Sequence, residues 1–136
     1  KQLQHLTEKD YQLLKRVIYN LIYRQRALVT GAFTKTNDLC AGVVFVSDKH
    51  KTIFYFSATH EIARETGAMP LLIDTFIREN TPAHLTLDFE GSNDPQLARF
   101  YKSFGSKELH YPHYNFNKLN PLLSIAFRLV RWIKNS

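Results

Sequence analysis

Apolar residues recur at helical spacing early in the chain, then give way to runs of β-branched and aromatic residues. From Thr7 onward, Leu14, Val17, Ile18, Leu21 and Ile22 fall on one helical face. Thr7 suits an N-cap, Glu8 and Asp10 lie in the first turn where the helix dipole favours negative charge, and Arg24 and Arg26 lie near the end. Beyond it, Ala27–Phe33, Leu39–Val46 and Thr52–Ser57 read as strands. They are separated by Thr36-Asn37-Asp38 and Asp48-Lys49-His50-Lys51, which favour turns. The pattern predicts a three-stranded antiparallel meander.

The period changes again downstream. A helix is predicted from about Gly67 to Arg78, with Leu72, Ile73, Phe76 and Ile77 on one face and Asn80 and Pro82 stopping it. His84–Phe89 reads as a short strand with Leu85, Leu87 and Phe89 on one face and Thr86, Asp88 and Glu90 on the other. Asp94-Pro95 is an N-cap followed by a proline at the first helical position, and that helix carries Leu97, Phe100, Tyr101 and Phe104 before Gly105 ends it. Lys107–Phe116 reads as an aromatic-rich strand or pair of strands interrupted at Pro112, and Asn120-Pro121 opens a last helix to about Lys134. The order predicts an α/β (α+β) fold, a mixed and mostly antiparallel sheet with helices on both faces.

Composition narrows the reading. With 136 residues, 44% hydrophobic and 22% charged, the chain fits one domain with its own core and excludes a disordered segment. No apolar run approaches about 18 residues, so no helix is expected to span a bilayer. The single cysteine, Cys40, lies in the apolar run Leu39–Val44 with no charge beside it, and reads as a small buried hydrophobe in a protein of a reducing, cytoplasmic compartment. No Cys/His spacing fits a zinc site, so no metal is expected. The net charge of +6 suits a partner bearing phosphates: a nucleotide cofactor, a tRNA or an anionic membrane.

Two stretches carry candidate chemistry. In Phe56–Pro70 a strand leads through a loop into a helix whose start holds Gly67 and Ala68. Unpaired amides at such a start suit an anion, and Arg64 adds a charge-assisted contact, although the same residues also read as a plain helix entry with a turn glycine. The second stretch is Asp88–Gly105, ending Ala98-Arg99-Phe100-Tyr101-Lys102-Ser103-Phe104-Gly105. This ending resembles the GNAT (N-acyltransferase) superfamily pattern in which an Asn-led loop enters a helix with a Tyr and closes on a Gly. Asn93, Tyr101 and Gly105 fall on those places, with one extra residue between Asn93 and Tyr101. Arg64-Glu65-Thr66-Gly67-Ala68-Met69 is similar to the superfamily's pyrophosphate loop, departing at Met69, where the pattern has a small residue. The order Phe56-Ser57-Ala58, Gly67, Asp88-Phe89-Glu90-Gly91 and Leu97–Gly105 resembles most the Fem-like, peptidoglycan aminoacyltransferase-like branch, over about Thr52 to Tyr111.

The resemblance implies an acyl- or aminoacyl-transferase. The donor is acetyl-CoA or another acyl-CoA, held in a splay between two parallel strands, and an amine attacks it directly; Fem-like relatives take aminoacyl-tRNA instead. It implies a pyrophosphate at Arg64, Gly67 and Ala68, a donor contact at Asn93, and Tyr101 as the acid that protonates the departing thiolate. Asp88 and Glu90 share a strand face near the expected splay, so either could deprotonate the amine, or serve only as a cap partner or solvated loop acid. The acceptor is a small-molecule or peptide amine. Two other readings stand beside this one, a non-catalytic GNAT-like scaffold or partner-binding domain and a basic tRNA-contacting module.

Residues 1–136 are expected to form a single GNAT-like domain, the C-terminal part of a longer protein, packed against an N-terminal domain or another copy. A complete domain of this superfamily has a strand and helix before the segment that begins at Thr7, and without them Ala27–Phe33 would be an open sheet edge. The last helix, 119–134, has Leu122, Leu123, Ile125, Ala126, Phe127, Leu129, Val130, Trp132 and Ile133 around most of its circumference. Its narrow polar stripe is Ser124, Arg128 and Arg131, which fits burial against this domain or a partner, or peripheral contact with a membrane.

Overall fold

A computed structural model describes residues 7–61, 65–81, 85–91, 93–112 and 114. Helix α1 spans Glu8–Tyr23 and begins with a capping box. The Asp10 carboxylate accepts from the Thr7 amide at 2.7 Å, and the Thr7 hydroxyl oxygen accepts from the Asp10 amide at 3.4 Å. Gln25, at φ 56°, turns the chain into the sheet.

Strands β1 (Ala27–Phe33), β2 (Leu39–Ser47) and β3 (Lys51–Thr59) form the predicted antiparallel meander, and β4 (Thr86–Asp88) adds a parallel partner to β3. The sheet order is β1-β2-β3-β4. Helix α2 (Ala68–Asn80) and helix α3 (Pro95–Lys102) complete the described elements. Helices lie on both faces of the sheet. The fold is thus the mixed α/β arrangement that the alternation of periods predicts.

The β2–β3 register contains one irregularity that decides which face each ring takes. Phe45 pairs with Phe54 and Val44 with Phe56, so Tyr55 is an extra residue, a β-bulge. Phe54 and Phe56 would share a face in a regular strand. The bulge instead sends Phe54 to the α2 side with Phe45, and Phe56 to the α1 side with Val44. On the α2 side Phe45 is fully buried, stacked on Phe76 at 3.9 Å between centroids and edge-on to Phe54 at 5.8 Å. Val43, Ala68, Met69 and Ile73 close this core. Cys40 is buried among them, as expected of a small hydrophobe.

Three expectations change. Lys107–Pro112 and Tyr114 carry no strand, and Leu109, Tyr111 and Tyr114 are exposed. An extended segment becomes a strand only by joining a backbone ladder, and the described sheet is made of β1-β2-β3-β4 without this segment. Strand β4 is shorter than His84–Phe89, and β3 is longer than Thr52–Ser57. Glu65 and Thr66 already have helical backbone, so Gly67 interrupts helical structure rather than opening it from a loop. It does so at φ 65°, a conformation that costs glycine no Cβ clash. The predicted helix 119–134 and Arg64 lie outside the described residues.

Candidate active site

The parallel pair is only three residues long. Lys51, Thr52 and Ile53 pair with Thr86, Leu87 and Asp88, and there β4 ends while β3 runs on to Thr59. The two chains therefore part immediately before the Tyr55 bulge, leaving a wedge beside β3. The exit of β4 is built by Asp88, Glu90 and Gly91. The Asp88 Oδ1 accepts from the Glu90 amide at 2.8 Å, and Glu90 and Gly91 take left-handed conformations at φ 63° and 73°. Such an Asx turn stabilises an abrupt departure from the strand, and Gly91 adopts its conformation without strain.

Asp88 is occupied on both oxygens. Its Oδ2 lies 2.5 Å from Lys51 Nζ. The Lys51 hydrogen bond first, and the Glu90 amide second, hold its carboxyl below its ordinary value. Asp88 is thus ionised but spent on holding β4 to β3 and shaping the turn. Glu90 is the neighbouring carboxylate open to solvent.

Helix α3 brings Tyr101 to the mouth of the wedge. Asp94 caps it, accepting from the amides of Gln96 at 2.8 Å and Leu97 at 3.3 Å, and Pro95 at the first turn removes a donor that would otherwise need a partner. The Tyr101 ring stacks on Phe89 at 4.5 Å and meets Phe54 edge-on at 6.2 Å. Its hydroxyl has no hydrogen-bond partner among the described residues. Partial burial raises its pKa above the ordinary phenol value, which keeps the proton on the oxygen throughout the neutral range.

The start of α2 belongs to the same core. Ala68 and Met69 are buried in the cluster that includes Phe54 and against which Phe89 packs. No side chain caps Gly67, the first intrahelical bond is Leu71 N–H to Gly67 O at 3.1 Å, and Pro70 has no N–H. The amides of Gly67, Ala68 and Met69 precede that first bond and so have no acceptor within α2 itself, although Glu65 and Thr66 lead into it with helical backbone. The Met69 side chain is in the core, so its size does not obstruct the helix start.

Asn93 falls elsewhere. It lines an open cleft of about 520 Å³ along α3 with Arg99, Lys102, Glu108 and His110, a lining that does not include Tyr101. In that cleft Lys102 engages Glu108 at 2.5 Å and holds its carboxyl below the ordinary value. The structure thus sets Asp88 and Glu90 at the exit of β4, stacks Tyr101 on the intervening Phe89, roots Ala68 beside Gly67 in the core, and leaves Asn93 on the neighbouring cleft. Two residues of this region escape the sequence reading. Lys51 reads as turn chemistry, and Tyr55 lies in the unbroken run Ile53-Phe54-Tyr55-Phe56, where no alternation marks a bulge. Among the described residues no group of His, Cys, Asp or Glu could hold a metal ion, and no helix is long and apolar enough to cross a membrane.

No protein-family model matches the sequence, and no curated protein matches it at a significant level. Solved structures do match the fold. One is a ribosomal-protein-alanine N-acetyltransferase from Brucella melitensis biovar Abortus 2308, at 17% identity and TM-score 0.51, over 72% of this chain and 75% of that one. An aminoglycoside antibiotic 6'-N-acetyltransferase from Acinetobacter baumannii is similar at 15% identity and TM-score 0.60, over 86% of this chain and 85% of that one. Another, from Acinetobacter haemolyticus, is similar at 13% identity and TM-score 0.58, over 85% and 86%. At such identities the likeness shows the fold, and the fold is that of the GNAT acetyltransferases.

Proposed function

We propose that the chain is an N-acyltransferase that moves an acyl group from a CoA thioester, acetyl-CoA in the first instance, to an amine by direct attack. The observation that carries this reading is the parting of β3 from β4 beside the Tyr55 bulge, with the Tyr101 hydroxyl unpartnered among the described residues at its mouth. A strand edge that loses its partner leaves amides and carbonyls able to pair with another extended chain, and the amide-bearing arm of CoA is such a chain. Its pyrophosphate sits at the amides of Gly67 and Ala68, with Arg64 adding charge.

In the reaction the amine nitrogen attacks the thioester carbonyl carbon and gives its proton to Glu90. Asp88 supports Glu90 by fixing the turn that carries it. Collapse of the tetrahedral adduct breaks the carbon–sulfur bond, and the departing thiolate takes the Tyr101 proton. A positioned acid of this kind typically contributes about 10²–10⁴-fold. The test is release of free CoA thiol from acetyl-CoA with a panel of small amines and peptide N-termini. Turnover with any of them, lost in Tyr101→Phe, supports the reading; CoA binding without turnover leaves a non-catalytic GNAT-like domain.

One observation favours a second donor. Asp88-Phe89-Glu90-Gly91 follows the Fem-like order, and the net charge is +6, which suits aminoacyl-tRNA and a peptide acceptor. Binding of a charged tRNA mixture with no affinity for CoA would decide for that donor, or for a tRNA-contacting module if nothing is transferred.

A further inference from the structure

The outer side of α3 carries a cluster of charges that the proposed reaction does not use. Pro95, Ala98, Arg99 and Lys102 fall on one helical face, opposite the stripe of Phe100, Tyr101 and Phe104 that packs inward. They wall one side of the open cleft of about 520 Å³, and Glu108 and His110 wall the other. Glu108 shows what this cleft accepts. Its Oε2 lies 2.5 Å from Lys102 Nζ and its Oε1 lies 3.5 Å from His110 Nε2, so one of the chain's own oxyanions already sits between two nitrogen groups. Arg99 is exposed, and its guanidinium has no partner among the described residues.

We propose that the cleft is a second ligand site, separate from the donor wedge, which takes the phosphate of a small phosphomonoester in place of the Glu108 carboxylate. The Lys102–Glu108 pair is half exposed on both sides, so it contributes little and opens readily. A free carboxylate would only repeat the chemistry of Glu108, and would compete with a tethered group whose effective concentration is of millimolar order. A dianionic phosphate adds a charge and a third oxygen. Arg99, which Glu108 leaves unengaged, can take two oxygens in its fork while Lys102 and His110 hold the other. The volume suits a small molecule, and Pro95 and Ala98 offer its body an apolar wall. The lining does not include Tyr101, so the site stands whether or not the chain transfers acyl groups.

The experiment is a titration of the isotope-labelled full chain with phenyl phosphate at fixed pH and ionic strength, followed by nuclear magnetic resonance. Benzoate is the second arm, because it keeps the ring and changes only the anion. Phenyl phosphate should give saturable shifts at Arg99, Lys102, Glu108 and His110, and benzoate should give none. Arg99→Gln should weaken binding about 10-fold, the scale of one charge-assisted hydrogen bond. Glu108→Gln should tighten binding about 2–5-fold, because an exposed ion pair no longer has to open. Both positions are exposed, so the variants should fold, which far-UV circular dichroism checks. Equal binding of benzoate overturns the proposal, as does phenyl phosphate affinity unchanged in Arg99→Gln. Unchanged or weaker binding in Glu108→Gln overturns it too, since the carboxylate would then not be the group displaced. Release of phenyl phosphate by acetyl-CoA would assign the cleft to the donor and end its claim to be separate. Acetyl-CoA affinity measured alone tests the transferase reading independently of all four outcomes.

Discussion

Lys51 and Asp88 clasp β3 to β4 at the closed end of the splay, Nζ lying 2.5 Å from Oδ2. The same carboxylate accepts from the Glu90 amide through its other oxygen, so one side chain both shuts the strand pair and starts the turn that opens it. The pair is partly exposed, so its contribution to global stability is small and its value is local geometry.

Asp88→Asn should speed amide exchange at Leu87 and Asp88 and lower donor affinity, with little change in melting temperature. The acid dependence gives a second readout. Because the folded carboxyl is held below its ordinary value, its contribution is present above the unfolded pKa and is lost as pH falls through the folded one. Denaturant midpoints measured below about pH 4 should therefore fall more steeply in the wild type than in Asp88→Asn. Equal acid slopes would assign no role to the clasp.

Tyr101→Phe keeps the stacking on Phe89 and removes a hydroxyl that lacks a described partner. Melting temperature and CoA affinity should hold, while transfer from acetyl-CoA falls at least about 10-fold. Burial raises the phenol pKa, so the wild-type rate should survive neutral pH and decline only as the phenol ionises, above about pH 10. A rate equal to wild type in the Phe variant would make Tyr101 a packing residue.

Gly67→Ala tests the helix start. Among the described residues a Cβ there meets no heavy atom within 4 Å, so the expected penalty is backbone strain at φ 65°, about 1 kcal/mol. The variant should fold, and its loss of affinity should be larger for CoA than for a pantetheine fragment that lacks the pyrophosphate. Arg64→Ala should weaken CoA binding with stability unchanged within about 0.5 kcal/mol. Undiminished CoA affinity in both variants would move the anion site elsewhere.

Phe45→Ala should lower stability by about 3–5 kcal/mol, since Phe45 is fully buried between Phe54 and Phe76. Leu109→Ala, at a residue 85% exposed, should stay within about 0.5 kcal/mol. Urea midpoints of the two variants compare them directly, and a Phe45 cost near that of Leu109 would contradict the assigned core.

The meander, α2 and α3 were legible because each rests on local pattern: turn residues between β-branched runs, Asp94-Pro95 before a stripe of rings, Ile73 and Phe76 at helical spacing. The strand expected over Lys107–Phe116 failed among its described residues because aromatic content reports fitness for pairing, not the presence of a partner. At the site, Tyr101, Asp88 and Glu90 could be named from the sequence as residue types, but the geometry around Asp88 was not legible. It depends on Lys51, which meets Asp88 only through the parallel register, and on a bulge at Tyr55 hidden in a continuous apolar run.

The most direct test of the account is a calorimetric titration of the full chain with acetyl-CoA, run in parallel with Gly67→Ala and Tyr101→Phe. A donor held in the splay gives saturable one-to-one binding by the wild type, weakened in Gly67→Ala and unchanged in Tyr101→Phe. Absence of heat at millimolar acetyl-CoA, with the wild type shown to be folded, would contradict it.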